Sequence, residues 1–119
     1  MVDKAVLASV KKLIEILKQN DCRIKKVILY GSYADGSFRE YSDIDIALIS
    51  DDFGKDKVEE KILLLRLASH IDPRLEPVPL STKTYENDTW IPLVYEIRNR
   101  GVELTEKLSR RQRTTDFSP

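Results

Sequence analysis

The chain has 119 residues, with 20 lysines and arginines set against 20 aspartates and glutamates, so its formal net charge is zero. That length suits one domain with one core, and the balanced charge supplies no overall basic field for a nucleic-acid duplex or an acidic membrane. A single cysteine, Cys22, and a single histidine exclude an internal disulfide and a zinc site.

Cys22 reads as a small buried or half-buried filler. No apolar run reaches the length of a membrane span, and the first residues, MVDKAVLASVKK, lack a signal-peptide layout. A soluble cytoplasmic protein is the expectation.

Val6, Leu7, Val10, Leu13, Ile14 and Leu17 recur at helical spacing with lysines on the other side, which predicts a first helix. Asp3 is its expected N-cap and Asn20 its end. Residues 23–30 carry Val27-Ile28-Leu29-Tyr30, a run that suits a central strand buried on both faces. Gly31 stops that strand. A polar stretch leads to a second predicted strand over residues 43–49. Its alternation puts Asp43, Asp45, Ala47 and Ile49 on one face and Ile44, Ile46 and Leu48 on the other.

A polar loop containing Gly54 precedes a helix predicted over residues 58–70, whose Val58, Ile62, Leu63, Leu64, Leu65, Leu67 and Ala68 make a broad apolar face. Pro73 ends that helical region. Pro77 and Pro79 confine residues 75–80 to an edge strand or an irregular extended segment. Leu93, Val94 and Ile97 predict a helix over residues 90–100, with Gly101 as its stop. Residues 102–104 suit a last short strand. The expected organisation is a domain over residues 1–105 and a flexible charged tail over residues 106–119. The fold class is α/β (α+β), a small mixed sheet flanked by helices.

Chemistry concentrates in GSYADGSFREYSDIDIAL. Glycine at the end of a strand lets a phosphate approach the backbone without meeting a Cβ. Ser32 adds a hydroxyl and an N–H, and a short helix starting there would aim further N–H groups at an anion. Asp43 and Asp45, side by side on a strand, can bridge two magnesium ions, which prefer oxygen ligands and complete their shells with water and phosphate. Either half alone is common in proteins. Their conjunction across a gap, ahead of a second strand, points to a nucleoside triphosphate held with a divalent metal.

Gly31-Ser32, the gap, and Ser42-Asp43-Ile44-Asp45 resemble the nucleotidyltransferase superfamily of the DNA polymerase β type. The chain length and the ending IRNRGVEL are similar to its smallest branch, the minimal nucleotidyltransferases. The resemblance spans residues 5–105, and Ala34, Gly36, Arg39 and Ser42 also match that branch's filling of the gap. Asp35 departs from it where a basic residue is frequent, and Tyr41 where an acidic one is common.

The resemblance implies a third carboxylate on a neighbouring strand, as metal ligand or as base, and Glu76 is the candidate. Asp72 competes, although turn chemistry before Pro73 accounts for it. It also implies Gly31, Ser32, Arg39 and Ser42 at the nucleotide, two Mg2+ ions, ATP as substrate and AMP transfer to a hydroxyl. Minimal nucleotidyltransferases are often antitoxins paired with an all-helical HEPN ribonuclease toxin, which they adenylylate on a tyrosine. The implied partner is therefore such a toxin. Inhibition by contact alone, or a free-standing transferase, are the alternatives. A homo-oligomer is left open, and neither nucleic acid nor membrane is expected as a partner.

Other residues read more plainly. Arg39 could neutralise phosphate or simply be solvated. Tyr33 is expected to pack over the turn, His70 to be structural or at the surface, and Trp90 to anchor a core or interface. Arg110, Arg111 and Arg113 form a small basic cluster in the tail, expected to be solvated.

Overall fold

A computed structural model of the chain describes residues 3–108. Helix α1 runs Lys4–Gln19, with the Asp3 side chain accepting from the Ala5 N–H at 2.8 Å as the expected N-cap. Strand β1 is Lys26–Tyr30, and the short helix α2 is Ser32–Asp35. They are followed by β2 Ile44–Ser50, α3 Lys57–Ser69 and β3 Leu75–Ser81. Helices α4 Thr82–Asn87 and α5 Pro92–Arg100 precede a two-residue β4, Val102–Glu103. Residues 105–108 are helical and Leu108 is buried, so the chain remains packed three residues beyond the expected domain end. Arg110, Arg111 and Arg113, with the rest of the expected tail, lie outside the described residues.

The sheet has the order β3-β2-β1-β4 and is mixed. β1 is antiparallel to both β2 and β4, whereas β2 and β3 run parallel through α3. β1 is central, as its unbroken apolar run requires. β3 is an edge, and Pro77 and Pro79 remove N–H donors from it, which discourages pairing with another chain.

Strand alternation divides the core into two layers. Val27, Leu29, Ile44, Ile46, Leu48 and Leu75 face α1 and α3. Ile28, Tyr30, Ala47 and Ile49 face Ile97 of α5, with Tyr85 of α4 packed alongside. Asp45 is on this second face, at its open end. Ile46 is fully buried behind it, so Ile46→Ala should destabilise the fold by about 2–5 kcal/mol in urea denaturation.

Two expectations are corrected, and one left open is decided. β2 begins at Ile44, leaving Asp43 just outside it, because the Ile44 N–H starts the ladder by donating to Arg74 O at 2.7 Å. On α3, whose broad apolar face suited core and partner equally, Leu64 and Ala68 are buried while Val58, Ile62 and Leu63 are exposed, because the sheet covers just one side of that helix. Trp90 is no core anchor, being 77% exposed in the turn before α5. Helix α4 went unpredicted because TKTYEN has no apolar periodicity. It forms where Ser81 caps it, accepting from the Thr84 N–H at 3.1 Å.

Candidate active site

Thirteen residues separate Tyr30 from Ile44, where a tight hairpin between antiparallel neighbours needs about two. The excess builds one wall of the site. At its start Gly31 adopts φ 74° and ψ −151°, a region essentially open to glycine alone. A methyl group there would also collide with the Asp45 carboxylate. The bare Cα and the positive φ are therefore both in use. Ser32 opens α2 directly above this contact.

The loop then folds on itself. The Asp35 carboxylate accepts from the Ser37 N–H at 2.9 Å and from its hydroxyl at 2.6 Å. The Arg39 N–H donates to Ser42 Oγ at 2.7 Å, and the Ser42 N–H donates to Arg39 O at 3.0 Å. Ser42 thus closes the turn that delivers Asp43, while Arg39 stands exposed on the loop. Tyr33 packs rather than standing free: its ring stacks on Phe38 with centroids 4.3 Å apart and planes 8° apart.

Register brings the carboxylates together. Tyr30 pairs with Asp45 across the antiparallel ladder, and Asp45 pairs with Glu76 across the parallel one. Adjacent strands lie about 4.8 Å apart, so Asp45 and Glu76 stand side by side on one face. Asp43 precedes them at the strand entrance. Asp72 does not join this row. It accepts from the Arg74 N–H at 3.0 Å and from the Arg74 guanidinium at 2.9 Å, and that ion pair holds its carboxyl below the usual range. Turn chemistry explains it, as expected.

The electrostatics are those of a concentrated negative charge. Burial first, then the neighbouring charges of Glu76, Asp43 and Glu96, push the Asp45 carboxyl above its ordinary range, with Lys61 opposing them. The Tyr30 phenol is pushed up in the same way, by burial and then by Asp45, Glu76 and Glu96. Sequence reasoning missed Tyr30, Lys61 and Glu96. They belong to β1, α3 and α5, and no local spacing signals that they meet.

Among the described residues, no three His, Cys, Asp or Glu side chains are grouped closely enough to cage a metal ion unaided. The donor set fits magnesium nonetheless. That ion takes one or two carboxylates and fills its octahedron with waters and substrate phosphates. The unrelieved repulsion around Asp45 is also what a dication would neutralise.

A glycine turn set against carboxylates in register, at one end of a small mixed sheet, is an arrangement suited to nucleotidyl transfer. The family model described as "Polymerase beta, Nucleotidyltransferase" matches residues 11–110, and the chain belongs to that family.

Relatives agree. "Putative protein adenylyltransferase MJ0141" of Methanocaldococcus jannaschii is 30% identical over 94 residues, which is 79% of this chain and 89% of that protein. "Protein adenylyltransferase MntA" of Shewanella oneidensis is 35% identical over 69 residues, covering 58% of this chain and 49% of that one. Among solved structures, a toxin-antitoxin crystallised with AMP-PNP superposes with a TM-score of 0.59 at 27% identity. That match covers 82% of this chain and 71% of the other. Among the described residues, no helix is long and apolar enough to cross a membrane.

Proposed function

We propose that the protein is a metal-dependent protein adenylyltransferase and antitoxin, moving AMP from ATP to a tyrosine of a partner all-helical HEPN ribonuclease toxin. The observation that carries the reading is the Asp45 carboxylate, set between the bare backbone of Gly31 and the registered Glu76. The similarity to adenylyltransferases, and to a toxin-antitoxin crystallised with an ATP analogue, supports both the nucleotide and the partner. Val58, Ile62 and Leu63 on the outer side of α3 are exposed apolar residues that suit a protein partner.

Gly31 and Ser32 receive the triphosphate, whose close approach depends on the absence of a Cβ. Asp43 and Asp45, with Glu76 beside them, are the residues that would hold magnesium. When bound, that ion neutralises phosphate charge and acidifies the acceptor hydroxyl. Glu76 takes the proton from that hydroxyl as its oxygen bonds to the α-phosphorus. The bond from that phosphorus to the bridging oxygen breaks, and pyrophosphate leaves. Asp45 orients the reacting groups from a strand anchored by Ile44 and Ile46, so the geometry costs little reorganisation.

Co-expression with an all-helical HEPN ribonuclease toxin, followed by mass spectrometry of the toxin, tests the reading. Wild-type protein should add the mass of AMP to a toxin tyrosine, and Asp43→Asn with Asp45→Asn should add none. Neutralisation of the toxin that survives with no AMP in either case would establish inhibition by contact instead.

A further inference from the structure

We infer that Arg74 is a positioning residue that, through Tyr33, holds the phosphate turn in register with the carboxylates. The inference deepens the proposed function and rests on it for the identity of the nucleotide.

Arg74 touches two parts of the site's frame and directly precedes the strand that carries the third. Its Nη1 donates to the Tyr33 hydroxyl at 3.1 Å, which reaches the α2 turn. Its carbonyl accepts from the Ile44 N–H at 2.7 Å, between Asp43 and Asp45. Glu76 follows two residues later, as the second residue of β3. The guanidinium is itself held: Nε and Nη2 donate to Asp72 at 3.2 and 2.9 Å. Such a planar fork keeps its direction, which a lysine ammonium does not.

The need for this brace follows from the rest of the loop. Helix α2 has only four residues, too few to be stable alone. The side-chain hydrogen bonds of the gap segment, Asp35 with Ser37 and Arg39 with Ser42, stay within the segment. Among the described residues, Tyr33 is the member of the segment that hydrogen-bonds to a side chain outside it. Stacking on Phe38 carries that tie onward toward Arg39 and Ser42. Breaking it leaves Asp45 and Glu76 on their strands and loosens the turn, with the loop that leads to Asp43, relative to them.

Tyr33→Phe separates the tie from packing, since the ring and its stack remain. Two readouts apply. Titration calorimetry with Mg-ATP should give a Kd raised about fivefold, the loss expected of one charge-assisted hydrogen bond that is partly exposed. Amide exchange over residues 36–43 should quicken by a similar factor, while the melting temperature moves by no more than about 2 °C.

Arg74→Lys should reproduce these changes in the wild-type background and add little in the Tyr33→Phe background. Unchanged affinity and unchanged exchange in Tyr33→Phe would refute the inference. Fully additive effects of the two substitutions would also refute it, since Arg74 would then act apart from Tyr33. A wild-type protein that fails to bind Mg-ATP sinks the proposed function, while the exchange readout still judges the brace.

Discussion

Gly31→Ala should lower kcat/KM for AMP transfer by about 100-fold or more while costing about 1–3 kcal/mol of stability. Two effects combine at this residue. Its φ of 74° with ψ −151° strains any residue bearing a Cβ, and the added methyl collides with the Asp45 carboxylate. Relief requires either that the turn rise or that Asp45 rotate, and each separates the phosphate site from the metal site.

Gly36 provides the control. It too has a positive φ, of 83°, but a methyl there meets nothing within 4 Å. Gly36→Ala should therefore show a comparable loss of stability with transfer reduced no more than about threefold. Steady-state transfer assays and urea melts on both variants make the comparison. Equal losses of activity would mean that strain alone, and not the approach to Asp45, explains Gly31.

Asp45→Asn should abolish transfer, by about 1000-fold, and yet raise the melting temperature in divalent-free buffer. The rate loss corresponds to a few kcal/mol of charge stabilisation at tenfold per 1.36 kcal/mol. The stability gain follows from the raised carboxyl of Asp45, whose ionised form is disfavoured by burial and by Glu76, Asp43 and Glu96. Between the ordinary carboxylate range and that raised value, the folded state binds more protons than the unfolded one. Wild-type stability therefore falls as pH rises through this window, and the penalty is complete above it.

The asparagine variant escapes that penalty. Its advantage should be greatest at neutral and alkaline pH and vanish as pH drops below the carboxylate range. Magnesium, binding the folded wild type, should narrow or reverse the difference. Thermal melts from pH 3 to 8, with and without magnesium, measure it. A variant no more stable than wild type at pH 8 without divalents would contradict the electrostatic account.

Much of the frame was legible in single residues. The alternation in DIDIALI announced which side chains of β2 share the face of Asp45 and which share the other, because successive side chains of a strand point to opposite faces. Asp3 marked a helix start through local capping chemistry, and Gly101 marked a helix end, although it is extended there and its missing Cβ makes room for Ile28. Pro77 and Pro79 marked an edge because proline cannot donate to a ladder. The α3 helix was legible but its packing was not: its leucines satisfy helical spacing, and spacing does not say which of them the sheet will cover. Glu76 was placed by chain order and resemblance, and only its register with Asp45 set it in the row.

By itself, the sequence determined the α/β class, the strand phase and the pairing of a Gly-Ser turn with two carboxylates, since each depends on residues near one another in the chain. Only the tertiary structure decided that Asp45 lies against Gly31, that Glu76 stands beside it, and that Lys61 and Glu96 shape its field. It alone decided that Arg74 ties to Tyr33 across 41 positions of sequence. These are contacts between strands and helices far apart in the chain, set by ladder register and layer packing, which local periodicity does not encode.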